Sequence, residues 1–181
     1  MYKRQALAVV VQEMVPAESS GVLFTANPLT GKRSETVIDA IWGLGEALVS
    51  GQVEPDHYVV DLAKKQIISS QQGEKAVVIQ SKDGGGVEIQ QGEPDDTPAL
   101  REAQIFALAE EGQKIAALYN APQDIEWAFV EDELFILQSR PVTSLFPVPE
   151  NLPDDHLMAF FSFCCIRAVY PSISVNMIAA S

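Results

Sequence analysis

The sequence predicts an α+β fold: a largely antiparallel sheet accompanied by one long helix. Short runs rich in Val and Ile recur through the first half of the chain, separated by Gly-, Pro- and Asn-bearing turns, which favours strands joined as hairpins. One later stretch instead repeats its apolar residues at helical spacing. After it, two runs alternate apolar and polar residues around a short charged loop, the pattern of a half-buried hairpin.

Taken in order, residues 6–15 read as a β-rich run centred on Val9, Val10 and Val11. Pro16 to Gly21 is turn chemistry, and a strand resumes at 22–25. Asn27-Pro28-Leu29-Thr30-Gly31 is a turn with two strong breakers. A third strand, 35–41, ends in Trp42-Gly43-Leu44-Gly45-Glu46, followed by a short helical turn over 46–49 that stops at Gly51. Residues 57–61, 66–70, 76–81 and 87–91 are further strands, whose connections favour antiparallel hairpins. The helix is expected to start with Thr97 as N-cap and Pro98 at its first position. Ile105, Leu108, Ala109, Gly112, Ile115, Ala116 and Tyr119 form its apolar face, and Asn120 and Pro122 end it. Strands over 124–130 and 134–141 close the domain, and the Pro-rich stretch 145–156 reads as a linker to a following, truncated domain at 157–181.

At 181 residues the chain can hold one domain, or one domain and the start of another. Its 47% hydrophobic content and mean hydropathy of +0.07 indicate a packed core. A formal net charge of −13 argues against nucleic acid and anionic membranes as partners. It leaves room for ATP, which arrives with cations and needs only a local positive cluster. Cys164 and Cys165 are adjacent and have no zinc spacing, so a reduced, cytoplasmic setting is expected. The apolar run 157–166 ends at Arg167, too short to span a bilayer, and no signal peptide is recognised. Met1-Tyr2-Lys3-Arg4-Gln5 resembles translated read-through of a sequencing adaptor, against the plainer alternative of an ordinary basic N-terminus. The chain therefore reads as an excerpt from a longer protein, with residues 1–5 artefactual or disordered.

The strongest chemical signal is Asp124-Ile125-Glu126-Trp127 with Leu137-Gln138-Ser139-Arg140-Pro141. If the loop is Glu131-Asp132-Glu133, Val130 opposes Leu134 and Ala128 opposes Ile136. Glu126 then faces Gln138, and Asp124 faces Arg140. One face would thus gather two carboxylates, an amide oxygen and a guanidinium. Such oxygens suit Mg²⁺, and Arg suits the phosphates that Mg²⁺ bridges. The plainer alternative is a surface hairpin with solvated charges.

Other motifs carry less. Val11-Gln12-Glu13-Met14-Val15 could offer strand-edge groups and a flexible Met to a planar base, but taken alone it reads better as a core strand. Trp42-Gly43-Leu44-Gly45-Glu46 lacks the third glycine of a dinucleotide fingerprint, and Gly31-Lys32-Arg33-Ser34 lacks the first glycine of a P-loop. Glu46 could bind a ribose or cap a turn. His57 and His156 have no Ser, Cys or Asp partner at a telling spacing.

Together, Val11-Gln12-x-Met14-Val15, Ser20-Gly21-Val22-x-Phe24-Thr25-x-Asn27-Pro28-x-Thr30-Gly31, Trp42-Gly43-Leu44-Gly45-Glu46, Pro55-Asp56 and the hairpin motifs resemble one family. It is the nucleotide-binding domain of phosphoenolpyruvate synthases, pyruvate phosphate dikinases and rifampicin phosphotransferases. The resemblance covers residues 6–144 and implies the C-terminal subdomain of an ATP-grasp fold. It implies that Glu126 and Gln138 hold Mg²⁺ at the phosphates of ATP. Asp124 and Arg140 would take the catalytic roles, Asp124 supporting that site and Arg140 contacting the phosphates. Gln12, Met14 and Val15 would form the adenine hinge, and Glu46 would reach the ribose. The family's chemistry cleaves ATP to AMP and passes a phosphoryl group through a histidine on a swivelling domain to a small-molecule acceptor. Neither that histidine motif nor the family's glycine-rich N-terminal lobe is recognised here, so the fragment alone is expected to be inactive. Phe160-Phe161-Ser162-Phe163 is similar to the start of the next domain in rifampicin phosphotransferase-like proteins, which tilts the reading to that branch over phosphoenolpyruvate synthase. A stand-alone, non-catalytic nucleotide-binding module is the remaining alternative.

Overall fold

The computed structural model describes residues 9–51, 53–82, 86–91 and 97–145. The expectations for residues 1–8, for the linker after Leu145 and for 157–181, with Cys164, Cys165 and His156, lie outside them. The described residues form ten elements. These are β1 (Ser19–Phe24), β2 (Glu35–Trp42), α1 (Glu46–Val49), β3 (Asp56–Asp61), β4 (Gln66–Gln71), β5 (Val77–Ser81), β6 (Val87–Gln91), α2 (Glu102–Tyr119), β7 (Gln123–Val130) and β8 (Glu133–Pro141). Six strands make one sheet in the order β4-β3-β2-β1-β7-β8, antiparallel at every pairing, while β5 and β6 form a separate antiparallel hairpin. The α+β class, largely antiparallel with one long helix, is thus the observed architecture.

Strand alternation divides the sheet into two faces. Leu23, Ile38, Tyr58, Val60, Ile125, Trp127 and Phe129 turn towards α2 and bury its Ile105, Leu108 and Ala109. The helix comes close because Gly112 has no side chain: a Cβ there would lie 2.6 Å from the Leu23 methyl. The opposite face has its own smaller core, where Ala128 and Ile41 meet Ala17, Leu44, Ala47, Val53 and Ile79. That core covers only one end of the face.

Two expected elements differ. Residues 9–17 contain no strand, and Val9, Val10 and Val11 are 78%, 83% and 93% exposed. β-branched residues fit a pleated surface, but a strand exists only when a partner pairs with it, and none does among the described residues. The helix begins at Glu102, with Arg101 as N-cap, not at Pro98. A distant carboxylate explains the delay. Asp56 Oδ2 accepts the Ala99 N–H at 2.7 Å, and Ala99 and Leu100 are buried, so residues 97–100 are held by tertiary contacts before the helix starts. Gln104 Oε1 then accepts the Arg101 N–H at 3.0 Å. The helical face is also shorter than expected, since Tyr119 is exposed, and Asn120 closes the helix at a left-handed φ of 51°.

Asp56 gathers more than that one bond. Lys75 Nζ lies 2.5 Å from Asp56 Oδ1, Gly73 N–H donates to the same oxygen at 3.0 Å, and both charged side chains are fully buried.

Candidate functional site

The site face is the one opposite α2, and the β7–β8 hairpin builds its edge. Glu126 opposes Gln138 and Asp124 opposes Arg140, as expected, but by a different route. The loop is two residues, Glu131-Asp132, with Val130 opposite Glu133 and Ala128 opposite Phe135. Glu131 adopts the positive φ of 53° that so tight a turn requires. A β-bulge between Glu126 and Trp127 of β7 then takes up one extra residue of β8, Leu137, and returns the register. The expected loop-end pairs were therefore wrong, while Glu126–Gln138 and Asp124–Arg140 pair as expected.

Arg140 is held by Asp124. Its Nε donates to Asp124 Oδ2 at 2.8 Å, and its Nη2 lies 2.8 Å from the same oxygen. Asp124 is nearly buried while the Arg140 side chain is 64% exposed, so the carboxylate fixes the base of the fork and leaves the cation facing outward. The hydrogen bond and charge of Asp124, with a smaller contribution from Glu126, raise the Arg140 pKa further and keep it cationic. Neither Glu126 nor Gln138 makes a side-chain hydrogen bond to another described residue, so their oxygens remain available to a ligand.

β1 lies beside this pair, with Val22 opposite Glu126 and Phe24 opposite Asp124. Next to it opens a cavity of about 500 Å³, walled by Met14, Ser20, Val22, Leu44, Glu46 and Glu126 among others. A smaller pocket of about 170 Å³ adds Gln12, Glu13 and Val15 and shares Met14, Ser20, Leu44 and Leu137 with the first. The structure thus brings Gln12, Met14, Val15, Glu46 and Glu126 around adjoining cavities, although Gln12–Val15 do so without forming a strand. Asp124, Gln138 and Arg140 do not line either cavity; they lie on β7 and β8 at its Glu126 rim. Glu46 reaches the wall because Gly43, at φ 75°, turns the chain out of β2 into α1.

Several contributors escaped the sequence reading. Ser20, Leu48, Val87 and Leu137 line the larger cavity. His57 does have an acidic partner: its Nδ1 lies 2.7 Å from Asp39 Oδ1, directly across β2 and β3. Asp39 opposes Val22, so His57, Asp39, Val22, Glu126 and Gln138 form one row across the face. Only the strand register reveals this, because the partners are far apart in sequence. Among the described residues, no helix is long and apolar enough to cross a membrane, and no three His, Cys, Asp or Glu side chains gather as metal ligands.

Known proteins are similar to this chain along most of its length. The family described as pyruvate phosphate dikinase, AMP/ATP-binding domain, matches residues 1–152. A rifampicin phosphotransferase of Bacillus cereus is 43% identical over 159 residues, covering 86% of this chain and 18% of that protein. A Bacillus subtilis rifampicin phosphotransferase is 47% identical over 146 residues, 80% of this chain and 17% of its own length. A probable phosphoenolpyruvate synthase of Methanothermobacter thermautotrophicus is 44% identical over 140 residues, 77% of this chain and 20% of that protein. The chain spans about a fifth of the length of these curated relatives. With most of its length matched, the chain belongs to the pyruvate phosphate dikinase AMP/ATP-binding domain family.

Proposed function

We propose that residues 6–144 are the ATP- and Mg²⁺-binding C-terminal subdomain of an ATP-grasp domain in a phosphohistidine-relay phosphotransferase. One observation carries this reading. Two adjacent cross-strand pairs, Glu126–Gln138 and Asp124–Arg140, stand on one open face at the rim of a cavity that Met14 and Glu46 also line. Adenine packs against the segment of Gln12, Met14 and Val15, the ribose meets Glu46, and the phosphates extend to Arg140. Arg140 supplies a fixed positive fork to the phosphates, and Asp124 orients it.

The donor set fits Mg²⁺, which takes oxygen ligands, keeps several waters and is usually bound through one or two carboxylates together with substrate phosphates. Glu126 and Gln138 offer two uncommitted oxygens side by side, a pair suited to such sharing and not to an all-protein cage. When bound there, Mg²⁺ supplies positive charge to the phosphates. Phosphoryl transfer needs that charge from both sides, so a second, glycine-rich lobe completes the site in the whole enzyme.

For the whole protein, the reading is conversion of ATP to AMP, with one phosphoryl group passed through a histidine domain to a small-molecule acceptor. Its branch is rifampicin phosphotransferase-like, motivated by residues 160–163, with phosphoenolpyruvate synthase as the alternative. The same reading sets a linker at 145–156 before a further domain and a cytoplasmic location.

The test is Glu126→Gln, which keeps shape and removes one charge. ATP binding to the chain is measured by calorimetry with and without Mg²⁺, beside thermal melting. The wild type should bind ATP more tightly with Mg²⁺, and the variant should lose that gain while melting normally. Retention of the full Mg²⁺ effect would refute the metal role of Glu126.

A further inference from the structure

The site just described leaves the β5–β6 hairpin without a task, yet one of its residues, Val87, stands in the cavity wall. The hairpin lies outside the main sheet and, among the described residues, its backbone joins it at one junction. Gly43 forms a parallel bridge with Ile79, and the Leu44 N–H donates to Ile79 O at 2.7 Å. A side chain at Gly43 is excluded: its Cβ would lie 2.3 Å from Ile79 O, and φ is +75°. Gly43 O in turn accepts from Ser20 Oγ at 2.5 Å. The segment that leads to Glu46 and the strand that supports Val87 are thereby pinned to the same point of β1.

Ser20 is one alternate-residue step along β1 from Val22, which opposes Glu126, and two steps from Phe24, which opposes Asp124. At about 3.4 Å per residue, the junction stands roughly 14 Å along the strand from the Asp124–Arg140 row. The apolar part of the cavity wall is Met14, Leu44, Leu48, Val87 and Leu137, and Glu46 and Glu126 also line it. Val87 is 39% exposed, an apolar surface that a ligand in the cavity would cover.

We propose that Val87 is a nucleoside-contacting residue and that Gly43 is the positioning residue that sets the β5–β6 hairpin as a wall over the nucleoside. This rests on the nucleotide reading given above and adds a contact in the cavity that Met14 and Glu46 line and that Asp124 and Arg140 do not.

An isotope-labelled 181-residue chain is titrated with ATP, AMP and tripolyphosphate, and dissociation constants are read from amide and methyl shifts. Val87→Ala should weaken ATP and AMP by the same factor, roughly fivefold for two partly buried methyl groups, and leave tripolyphosphate unchanged. Ile89→Ala, on the same strand but outside the cavity wall, should change neither. Gly43→Ala should reproduce the AMP loss and displace the Ile79 and Val87 signals before ligand is added. Wild-type binding with an unaffected Val87→Ala variant overturns the contact while sparing the nucleotide reading, and so does equal loss in the Val87 and Ile89 variants. Absence of ATP-induced shifts at Val22, Gly45 and Glu46 in the wild type overturns the nucleotide reading, and this proposal with it.

Discussion

Replacing Asp56 by Asn tests the most heavily bonded side chain of the fold. Asp56 is fully buried and receives Lys75 Nζ at 2.5 Å, Gly73 N–H at 3.0 Å, Ala99 N–H at 2.7 Å and the Tyr58 hydroxyl at 3.4 Å. Asn keeps the volume but removes the charge, leaving the fully buried Lys75 ammonium uncompensated. Breaking one side of a buried ion pair costs about 3–5 kcal/mol. An amide also has only one accepting oxygen where the carboxylate has two, so one of the two backbone N–H groups loses its partner, at about 1 kcal/mol more. Domains of this kind are stable by about 5–15 kcal/mol, so a loss near 5 kcal/mol is severe. At about 2–4 °C per kcal/mol, the melting temperature should fall by at least 10 °C. Asp56→Asn combined with Lys75→Met removes the stranded charge and should recover about half of the loss. Urea unfolding followed by circular dichroism measures all three proteins. A single-variant loss under about 1 kcal/mol, or a double variant worse than the single, would refute the idea that Asp56 is the counter-charge of Lys75 that clamps the approach to β5 and α2.

Arg140→Lys should weaken ATP binding about tenfold by calorimetry, because a point charge cannot reproduce the fork that Asp124 holds, whereas Glu133→Gln at the hairpin end should be silent. Glu35 governs an acid-sensitive turn: burial alone raises its pKa, but hydrogen bonds from Lys32 at 2.7 Å and Asn27 at 2.8 Å outweigh it and hold the pKa below the ordinary 4.5. A carboxyl with a depressed folded pKa contributes stability above its unfolded value and loses it as pH falls through the folded one. The hydrogen-exchange protection factors of Leu29 and Thr30, whose N–H groups donate to Asn27, should therefore fall below pH 4.5 in the wild type and much less steeply in Glu35→Gln, after correction for the slowing of intrinsic exchange by acid.

The strands were legible because their signal is local. β2, β3, β4 and β6 appear within a residue or two of where alternation and turn residues placed them, and Lys65, at φ 50°, closes the β3–β4 connection as a turn residue would. What failed was decided at a distance. The start of α2 looked ideal at Thr97-Pro98, but Asp56, 43 residues before Ala99, takes the backbone N–H that a helix beginning there would organise differently. Residues 9–15 have strand composition and no described partner, so propensity had nothing to pair with. His57 lacked a partner in the sequence because Asp39 is 18 residues away, and only the pairing of β2 with β3 brings the two together.

The hairpin shows most sharply how two cross-strand pairs can be read correctly from a register that is locally wrong. A bulge-free hairpin with a three-residue loop and a hairpin with a two-residue loop plus one bulged residue place residues beyond the bulge in the same pairs. Glu126–Gln138 and Asp124–Arg140 satisfy both descriptions, while Ala128–Ile136 satisfies only the first and Ala128–Phe135 is observed. The two differ in the faces taken by Leu134, Phe135 and Ile136, between the bulge and the loop, and in the place of Leu137. A uniform strand would send Leu137 to the face opposite Gln138, where α2 packs. As the extra residue of the bulge, Leu137 instead joins the smaller core with Ala128 and lines both cavities. The bulge therefore leaves the polar pairs in place and adds an apolar wall beside them. Alternation along a single strand cannot anticipate that wall, because a bulge is the point at which alternation stops.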